Sequence, residues 1–351
     1  MSRNVIKVNA KSKSYEITVG EDTLFLLPEI LDRVAPKASI ALFSDSNVYA
    51  LYGKRAEELL DSAGREHSSF VIPAGEGSKT PETLFSFLEF MADNGFTRSD
   101  CVVALGGGVV GDVGGFAASI YQRGIKVVQI PTTVLAMSDS SVGGKTAVDL
   151  KAGKNLAGTF WQPDAVICDL SLSKTLPQNI FRDGCAEIIK YGVIIDAEMF
   201  ERLESGIDSC FEYAVTRSIE IKRDIVEADE NDKGVRGLLN FGHTLGHAVE
   251  KLSGYGISHG SAVAIGMVAA CRIAAKIGLC DITDRVNGLL VSYGFDTAMP
   301  YSAEQLSSAL RSDKKRSGDS ITLILPEKLG KCILYPTTLK EVDRLLSETE
   351  M

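Results

Sequence analysis

Apolar positions in the first half of the chain come in short runs separated by amphipathic stretches. Residues 5–8 and 15–19 read as two paired strands around the polar turn 9–14. Further apolar runs at 40–43, 70–72, 101–105 and 127–130 are followed by Ser-Asp, Pro, Gly and Pro-Thr-Thr respectively. Helix-like stretches lie between them, over 47–63 and from Thr80-Pro81, a pair suited to a helix cap and first turn. This βαβα rhythm predicts a parallel sheet with ligands at the strand C-termini. From about Leu176 the period becomes that of amphipathic helices, over 180–192, 199–206, 210–229, 244–252 and 262–278. Brief β-like runs at 321–325 and 331–334 follow. The pattern therefore predicts an α/β domain over 1–175 and a mostly α-helical domain over 176–351.

Composition narrows the partners. A chain of 351 residues is long enough for two cores, and a net charge of −9 with pI near 5.2 argues against nucleic acid. A few lysines gathered in a cleft could still receive an anionic small molecule. The first twenty residues have no apolar core of a signal peptide, and the longest apolar stretch, 262–277, is interrupted by Arg272 and Lys276. The expectation is a cytoplasmic protein with no membrane partner. Seven cysteines without a C-x-x-C pair suggest reduced thiols.

Three motifs carry candidate chemistry. Gly106, Gly108 and Gly111 satisfy G-x-G-x-x-G after a predicted strand, where backbone could approach a pyrophosphate at a helix N-terminus. No acidic residue follows at the usual distance, so Asp45, after the 40–43 strand, is the candidate for the ribose hydroxyls. Gly144-Lys145-Thr146 is similar to the end of a phosphate-binding P-loop, but Asp139 occupies the position of its first glycine. What remains is two lysines, Lys145 and Lys154, in glycine-containing loops. Finally, three of the four histidines fall between 243 and 259. Spacing alone nominates His243, His247 and His259 as ligands of a zinc ion, which favours neutral imidazole. Glu187, in an otherwise apolar helix start three residues before Lys190, competes as the third ligand.

Taken in order, these stretches resemble the 3-dehydroquinate synthases among the sugar-phosphate cyclases. The matching segments are Gly106-Gly-Gly-Val-Val-Gly-Asp112, Pro131-Thr-Thr133, Asp139-Ser-Ser-Val-Gly-Gly-Lys145, Gly153-Lys-Asn155, Ala186-Glu-Ile-Ile-Lys-Tyr-Gly192, Asn240-Phe-Gly-His243 with His247, and His259-Gly260. The resemblance implies a Rossmann-like NAD-binding domain, a helical metal-binding domain and a cytoplasmic homodimer. It implies Glu187, His243 and His259 as ligands of zinc or cobalt, which moves His247 to the substrate. It further implies Asp45, Glu76, Lys79, Gly107, Gly108, Asp112, Thr132, Thr133, Lys145, Lys154 and Thr175 around NAD. Lys145, Lys154, Asn155, Lys222, Arg236, Lys314 and Lys315 would surround an anionic sugar phosphate, and Arg123 would reach the substrate of the neighbouring subunit. His247, Lys145, Lys190, Asn240 and Asp139 are the implied catalytic set. The family commonly has His-Gly-Glu where this chain has His259-Gly260-Ser261.

The implied reaction converts 3-deoxy-D-arabino-heptulosonate 7-phosphate to 3-dehydroquinate and phosphate. It proceeds by transient oxidation with NAD, phosphate elimination, re-reduction and aldol closure, in the shikimate pathway of aromatic amino acid biosynthesis. The alternatives are a sister cyclase acting on a sugar phosphate without a carboxylate, or a metal-dependent polyol dehydrogenase that releases NADH. A protein that only binds nucleotide has little use for the Glu187, His243, His259, Lys145 and Lys190 set.

Overall fold

The computed structural model describes residues 3–314 and 319–349. Two compact units divide the chain: Met1–Pro177 with Lys222–Asn231, and Gln178–Ile221 with Asp232–Met351.

The first unit carries strands β1 (Asn4–Asn9), β2 (Ser14–Gly20), β3 (Ile40–Asp45), β4 (His67–Ile72), β5 (Cys101–Gly106), β6 (Lys126–Pro131), β7 (Lys145–Leu150), β8 (Gly153–Phe160) and β9 (Ala165–Asp169). Its helices are α1 (Leu27–Val34), α2 (Ser46–Val48), α3 (Lys54–Ser62), α4 (Pro81–Asp93) and α5 (Gly108–Ile120). Seven strands form one sheet in the order β1-β2-β9-β6-β5-β3-β4. Only β1 and β2 pair antiparallel within it; the other neighbours are parallel. All six residues of β5 and all five of β9 are buried, which is why they read as unbroken apolar runs and not as alternating ones. The chain leaves β3 for the edge strand β4 and returns on the other side of β3 as β5. That reversal makes the β3–β5 boundary a topological switch point, with Asp45 and Gly106 ending the two strands.

The helix-like stretch over 47–63 is found as α2, a wide π-type turn at Tyr49–Gly53, and α3. The Tyr49 ring lies over Gly53, where a Cβ would come within 2.3 Å of it, and its hydroxyl donates to Glu57 at 2.6 Å. Lys145 and Lys154 lie on β7 and β8, an antiparallel hairpin apart from the main sheet, and not on loops. Strand β9, inserted between β2 and β6, has no counterpart in the expected elements.

Residues 222–231, placed by pattern in the helical half, belong to the first unit because of their long-range partners. Glu227 Oε1 accepts the amide of Asn9 at 2.5 Å. Glu230 accepts the Ser12 amide at 3.0 Å, the Ser12 hydroxyl, and Gln162 Nε2 at 2.9 Å. Burial alone would raise the Glu230 carboxyl, but the donors from Ser12 and Gln162 outweigh it and leave it below its ordinary value. A lowered folded-state value means the carboxylate stabilises the fold above its unfolded value and loses that contribution as pH falls through the folded one. Glu230→Ala is therefore expected to destabilise the protein by about 1–3 kcal/mol at pH 7. In urea titrations at pH 7 and near pH 3, the gap from the parent should narrow at the lower pH. An unchanged gap would remove the ionised carboxylate from the explanation.

The second unit contains α6 (Gln178–Ile194), α7 (Ala197–Leu203), the first part of α8 (Phe211–Ala228), α9 (His243–Leu252), α10 (His259–Lys276), α11 (Thr283–Ser292), α12 (Ala303–Lys314) and α13 (Leu339–Glu348). An antiparallel hairpin of β10 (Ser320–Lys328) and β11 (Lys331–Thr338) completes it. Helices α9 and α10 approach backbone to backbone. A Cβ on Gly266 would lie 1.9 Å from Gly242 O, and one on Gly246 would lie 2.9 Å from Ala262 O. Gly242 and Gly246 at the start of α9, and Ala262 and Gly266 on α10, each pair four residues apart, permit this approach. Among the described residues no helix is long and apolar enough to cross a membrane.

Candidate active site

Helices α6, α9 and α10 bring together a carboxylate and two imidazoles. Glu187 Oε1 lies 3.2 Å from Nε2 of His243 and 3.2 Å from Nε2 of His259. The three ligand atoms all lie within 4.8 Å of one another, and His247 is outside this trio. His243 is the first residue of α9, and its Nδ1 is 3.0 Å from Phe241 O. With Nδ1 facing that carbonyl, Nε2 is the nitrogen turned toward Glu187. His259 is the first residue of α10, and its Nδ1 lies 3.5 Å from Glu250 Oε1. His247, more than half exposed, has its ring 5.4 Å from that of His243 and its Nε2 4.0 Å from Glu250 Oε2.

Lys190, one turn after Glu187, is ion-paired with Glu187 Oε2, and both side chains are fully buried. Burial would raise the Glu187 carboxyl, but Lys190 and His243 hold it well below the usual carboxylate range. Burial likewise works against charge on His259, yet Glu187 and Glu250 outweigh it and push that imidazole up to about 10. Two imidazoles, one carboxylate and their mutual distances suit a divalent ion of the zinc type, which takes three protein ligands and keeps an open position.

Two residues that sequence reasoning missed hold this cluster in place. Asp183, one turn before Glu187, accepts the Ser258 hydroxyl and the Ser261 amide at 3.2 Å, fixing the start of α10 against α6. Ser261 also shares a 2.9 Å hydrogen bond with Ser258 Oγ. Glu250 is the second. The 243, 247, 250 spacing of four and three places all three residues on one helix face, a signal present in the sequence. Arg236, buried, and Asn240, exposed, lie in the 3-10 turn Val235–Asn240 that precedes α9.

In the first unit the glycine and threonine turns meet at the C-terminal ends of β5 and β6. Gly107 caps α5, and a Cβ there would come within 3.0 Å of Thr133 Cγ2. Thr132 N donates to Gly106 O at 3.0 Å, and Thr133 Oγ1 accepts the Ala136 amide at 3.2 Å. Gly108 opens the thirteen-residue α5, whose N-terminal amides suit an anion. Asp45 caps α2 through Oδ1, accepting the amides of Asn47 at 2.9 Å and Val48 at 3.1 Å. Thr175 shares a 2.5 Å hydrogen bond with Tyr52.

Beside this cradle the polar residues form two groups. Lys79 Nζ lies 2.5 Å from both Asp112 Oδ2 and Asn155 Oδ1, and Lys154 Nζ lies 3.4 Å from Glu76 Oε1. Burial works against the Lys79 ammonium, but Asp112 more than compensates and keeps it charged. Lys222 Nζ lies 2.9 Å from Asp139 Oδ2 and 2.8 Å from Asp139 O. Lys145 opens β7 and is exposed. Arg123 is exposed on a tight turn in which Gln122 and Arg123 both take left-handed backbone, with φ of +51° and +70°. The structure pairs Arg123 with neither group. Lys314 closes α12, and Lys315 lies outside the described residues.

A Rossmann-like α/β unit with a glycine cradle, and a helical unit with a buried carboxylate and two imidazoles, define a nucleotide- and metal-dependent class of enzyme. Residues 69–183 match the 3-dehydroquinate synthase N-terminal family and residues 184–316 the 3-dehydroquinate synthase C-terminal family. The chain is 43% identical over 345 residues to 3-dehydroquinate synthase from Nostoc punctiforme, covering 93% of this chain and 94% of that relative. Its fold is similar to that of 2-deoxy-scyllo-inosose synthase complexed with carbaglucose-6-phosphate, NAD+ and Co2+ (TM-score 0.86, 25% identity, 99% of this chain and 100% of that one). It is also similar to 2-epi-5-epi-valiolone synthase from Streptomyces hygroscopicus subsp. jinggangensis 5008 with NAD+ and Zn2+ bound (TM-score 0.86, 29% identity, 96% and 97%). The chain belongs to the 3-dehydroquinate synthase family.

Proposed function

We propose that the chain converts 3-deoxy-D-arabino-heptulosonate 7-phosphate to 3-dehydroquinate and inorganic phosphate, using NAD and a zinc or cobalt ion. The observation that carries this reading is Glu187 Oε1 held 3.2 Å from the Nε2 atoms of both His243 and His259. Solved relatives of the same fold hold NAD+ with Co2+ or Zn2+, and the donor set here suits either ion. The enzyme is a cytoplasmic homodimer that binds an anionic sugar phosphate and neither nucleic acid nor membrane.

When bound, the ion supplies a Lewis acid for substrate hydroxyls and the nicotinamide a reversible hydride acceptor. The chain's residues do the remaining work. Gly107 and Gly108 offer backbone to the pyrophosphate, and Asp45, its Oδ1 already engaged as a cap, offers Oδ2 to a ribose hydroxyl. Glu76, Lys79, Asp112, Thr132, Thr133, Lys145, Lys154 and Thr175 complete the nucleotide site. Lys190 keeps Glu187 ionised. Lys145, Lys154, Asn155, Lys222, Arg236, Lys314 and Lys315 receive the carboxylate and phosphate of the substrate, with Asn240 and Asp139 orienting it. Lys222 and Arg236 together suit a substrate that bears a carboxylate as well as a phosphate. During elimination the departing phosphate itself, or exposed His247 through a water, takes the proton. Arg123, on its strained turn, serves the neighbouring subunit's substrate.

The test supplies purified protein with NAD, zinc and the heptulosonate phosphate, and follows phosphate release together with NADH absorbance. Stoichiometric phosphate without accumulating NADH is the expected result. Net NADH would replace this reading with a dehydrogenase. Silence here with turnover of a carboxylate-free sugar phosphate would replace it with a sister cyclase.

A further inference from the structure

His259 engages a carboxylate through each ring nitrogen. Nε2 faces Glu187 Oε1 at 3.2 Å, and Nδ1 faces Glu250 Oε1 at 3.5 Å. Glu250 is 5% exposed and sits on α9 two turns after His243, so the helix that begins with one imidazole also carries the partner of the other. His243 has its own Nδ1 acceptor in the Phe241 carbonyl. Both rings thus have an acceptor at Nδ1, and both turn Nε2 toward the same oxygen of Glu187.

We propose that Glu250 is a positioning residue of the metal centre: it accepts the Nδ1 proton of His259 and thereby fixes the tautomer that presents Nε2 to the ion. A neutral imidazole has one N–H and one lone pair, so the nitrogen that donates decides which nitrogen is left to ligate. A carboxylate acceptor also makes the ligating nitrogen more basic, as outer carboxylates of histidine–metal sites do. The inference rests on the metal reading of Glu187, His243 and His259. The rival arrangement is a second ion held by His247, Glu250 and His259, whose ligand atoms also lie within 4.8 Å of one another. It is disfavoured because it would need His259 to give a lone pair at both nitrogens, and because His247 is 55% exposed.

The test removes metal from the full-length protein with a chelator and titrates zinc back against a chromophoric competitor. Glu250→Leu removes the acceptor and is expected to weaken zinc binding about 10- to 100-fold. Glu250→Gln keeps an acceptor oxygen and should recover part of that loss, at about threefold to tenfold below the parent. The visible spectrum of the cobalt form should shift in Glu250→Leu and return toward the parent in Glu250→Gln. Nitrogen-15 NMR of the zinc-loaded parent should show His259 protonated at Nδ1. Zinc bound at Nδ1 would overturn the proposal, as would equal zinc affinity in Glu250→Leu and the parent. If Glu250→Leu does not fold, Glu250→Gln decides, and parental affinity there overturns it. A second zinc per chain, lost in Glu250→Gln and His247→Ala alike, would replace it with the two-ion arrangement. A parent that binds no divalent ion would instead overturn the metal reading itself.

Discussion

Glu187→Gln is expected to lower turnover about a thousandfold or more and to end stoichiometric zinc binding, because it removes the negative charge on which both imidazoles converge. The substitution keeps the shape of the side chain, so the loss would report charge and not packing. It should also reduce stability. Lys190 and Glu187 are 2% and 1% exposed at their side chains, and Lys190 would then face a neutral amide. Removing one member of a buried pair destabilises by about 3–5 kcal/mol. Adding Lys190→Met should restore part of the melting temperature and none of the turnover. Metal analysis, phosphate release and thermal denaturation read the three effects separately. Parental zinc content in Glu187→Gln would contradict the assignment of this carboxylate to the ion.

Gly266→Ala should be nearly as damaging although residue 266 is not in the donor trio. Its new methyl would have to displace the Gly242 carbonyl, 1.9 Å away, and the Gly246 amide, 2.8 Å away. Neither is a side-chain tip that can swing aside, so α9 and α10 must separate by about 1 Å or more to reach ordinary contact. The expected loss is about 3 kcal/mol or more, at the upper end for overpacking, since the clash is with backbone. His243 and His259 begin the two helices that would part, so zinc affinity should fall about a hundredfold in the protein that still folds. Gly288→Ala in α11, where a Cβ meets nothing within 4 Å, is the control and should leave both quantities near parental values. If Gly266→Ala melted with the control and bound zinc normally, the close helix approach would not be what spaces the imidazoles.

What could be read without coordinates follows from which interactions are local. Strand β5 and the glycines after it announce themselves, because a buried parallel strand is continuously apolar and its turn needs small residues. The same logic should have exposed Ala165–Asp169, a five-residue buried run like that of β5, but no glycine or Pro-Thr turn follows it to mark a ligand-facing strand end. The β7–β8 hairpin hid for the opposite reason: it is partly exposed, rich in glycine and lysine, and has little apolar alternation. Histidine spacing found His243 and His259, yet it put His247 beside them as the third ligand, with Glu187 only a competitor. The difference lies in tertiary packing, since Glu187 comes from α6, 56 residues before His243 in the numbering. Glu250 was legible in principle from its helical phase with His243 and His247. Asp183 was not, because its partners Ser258 and Ser261 are brought to it only by the packing of α10 on α6.

The placement of Lys222–Asn231 has a consequence for how the chain is made. Synthesis delivers the seven strands of the large sheet by residue 169, but the Lys222 ammonium for Asp139 and the Glu230 carboxylate for Ser12 and Gln162 come later. Between those moments the ribosome must also extrude Gln178–Ile221, which belongs to the other unit. The sheet can therefore form early, while its last polar contacts wait for a segment still being translated. A nascent chain stalled just past the sheet would hold the glycine and threonine turns with Asp139 lacking its Lys222 partner. For this protein the order of translation, and not only the final contacts, separates forming the sheet from completing its polar contacts.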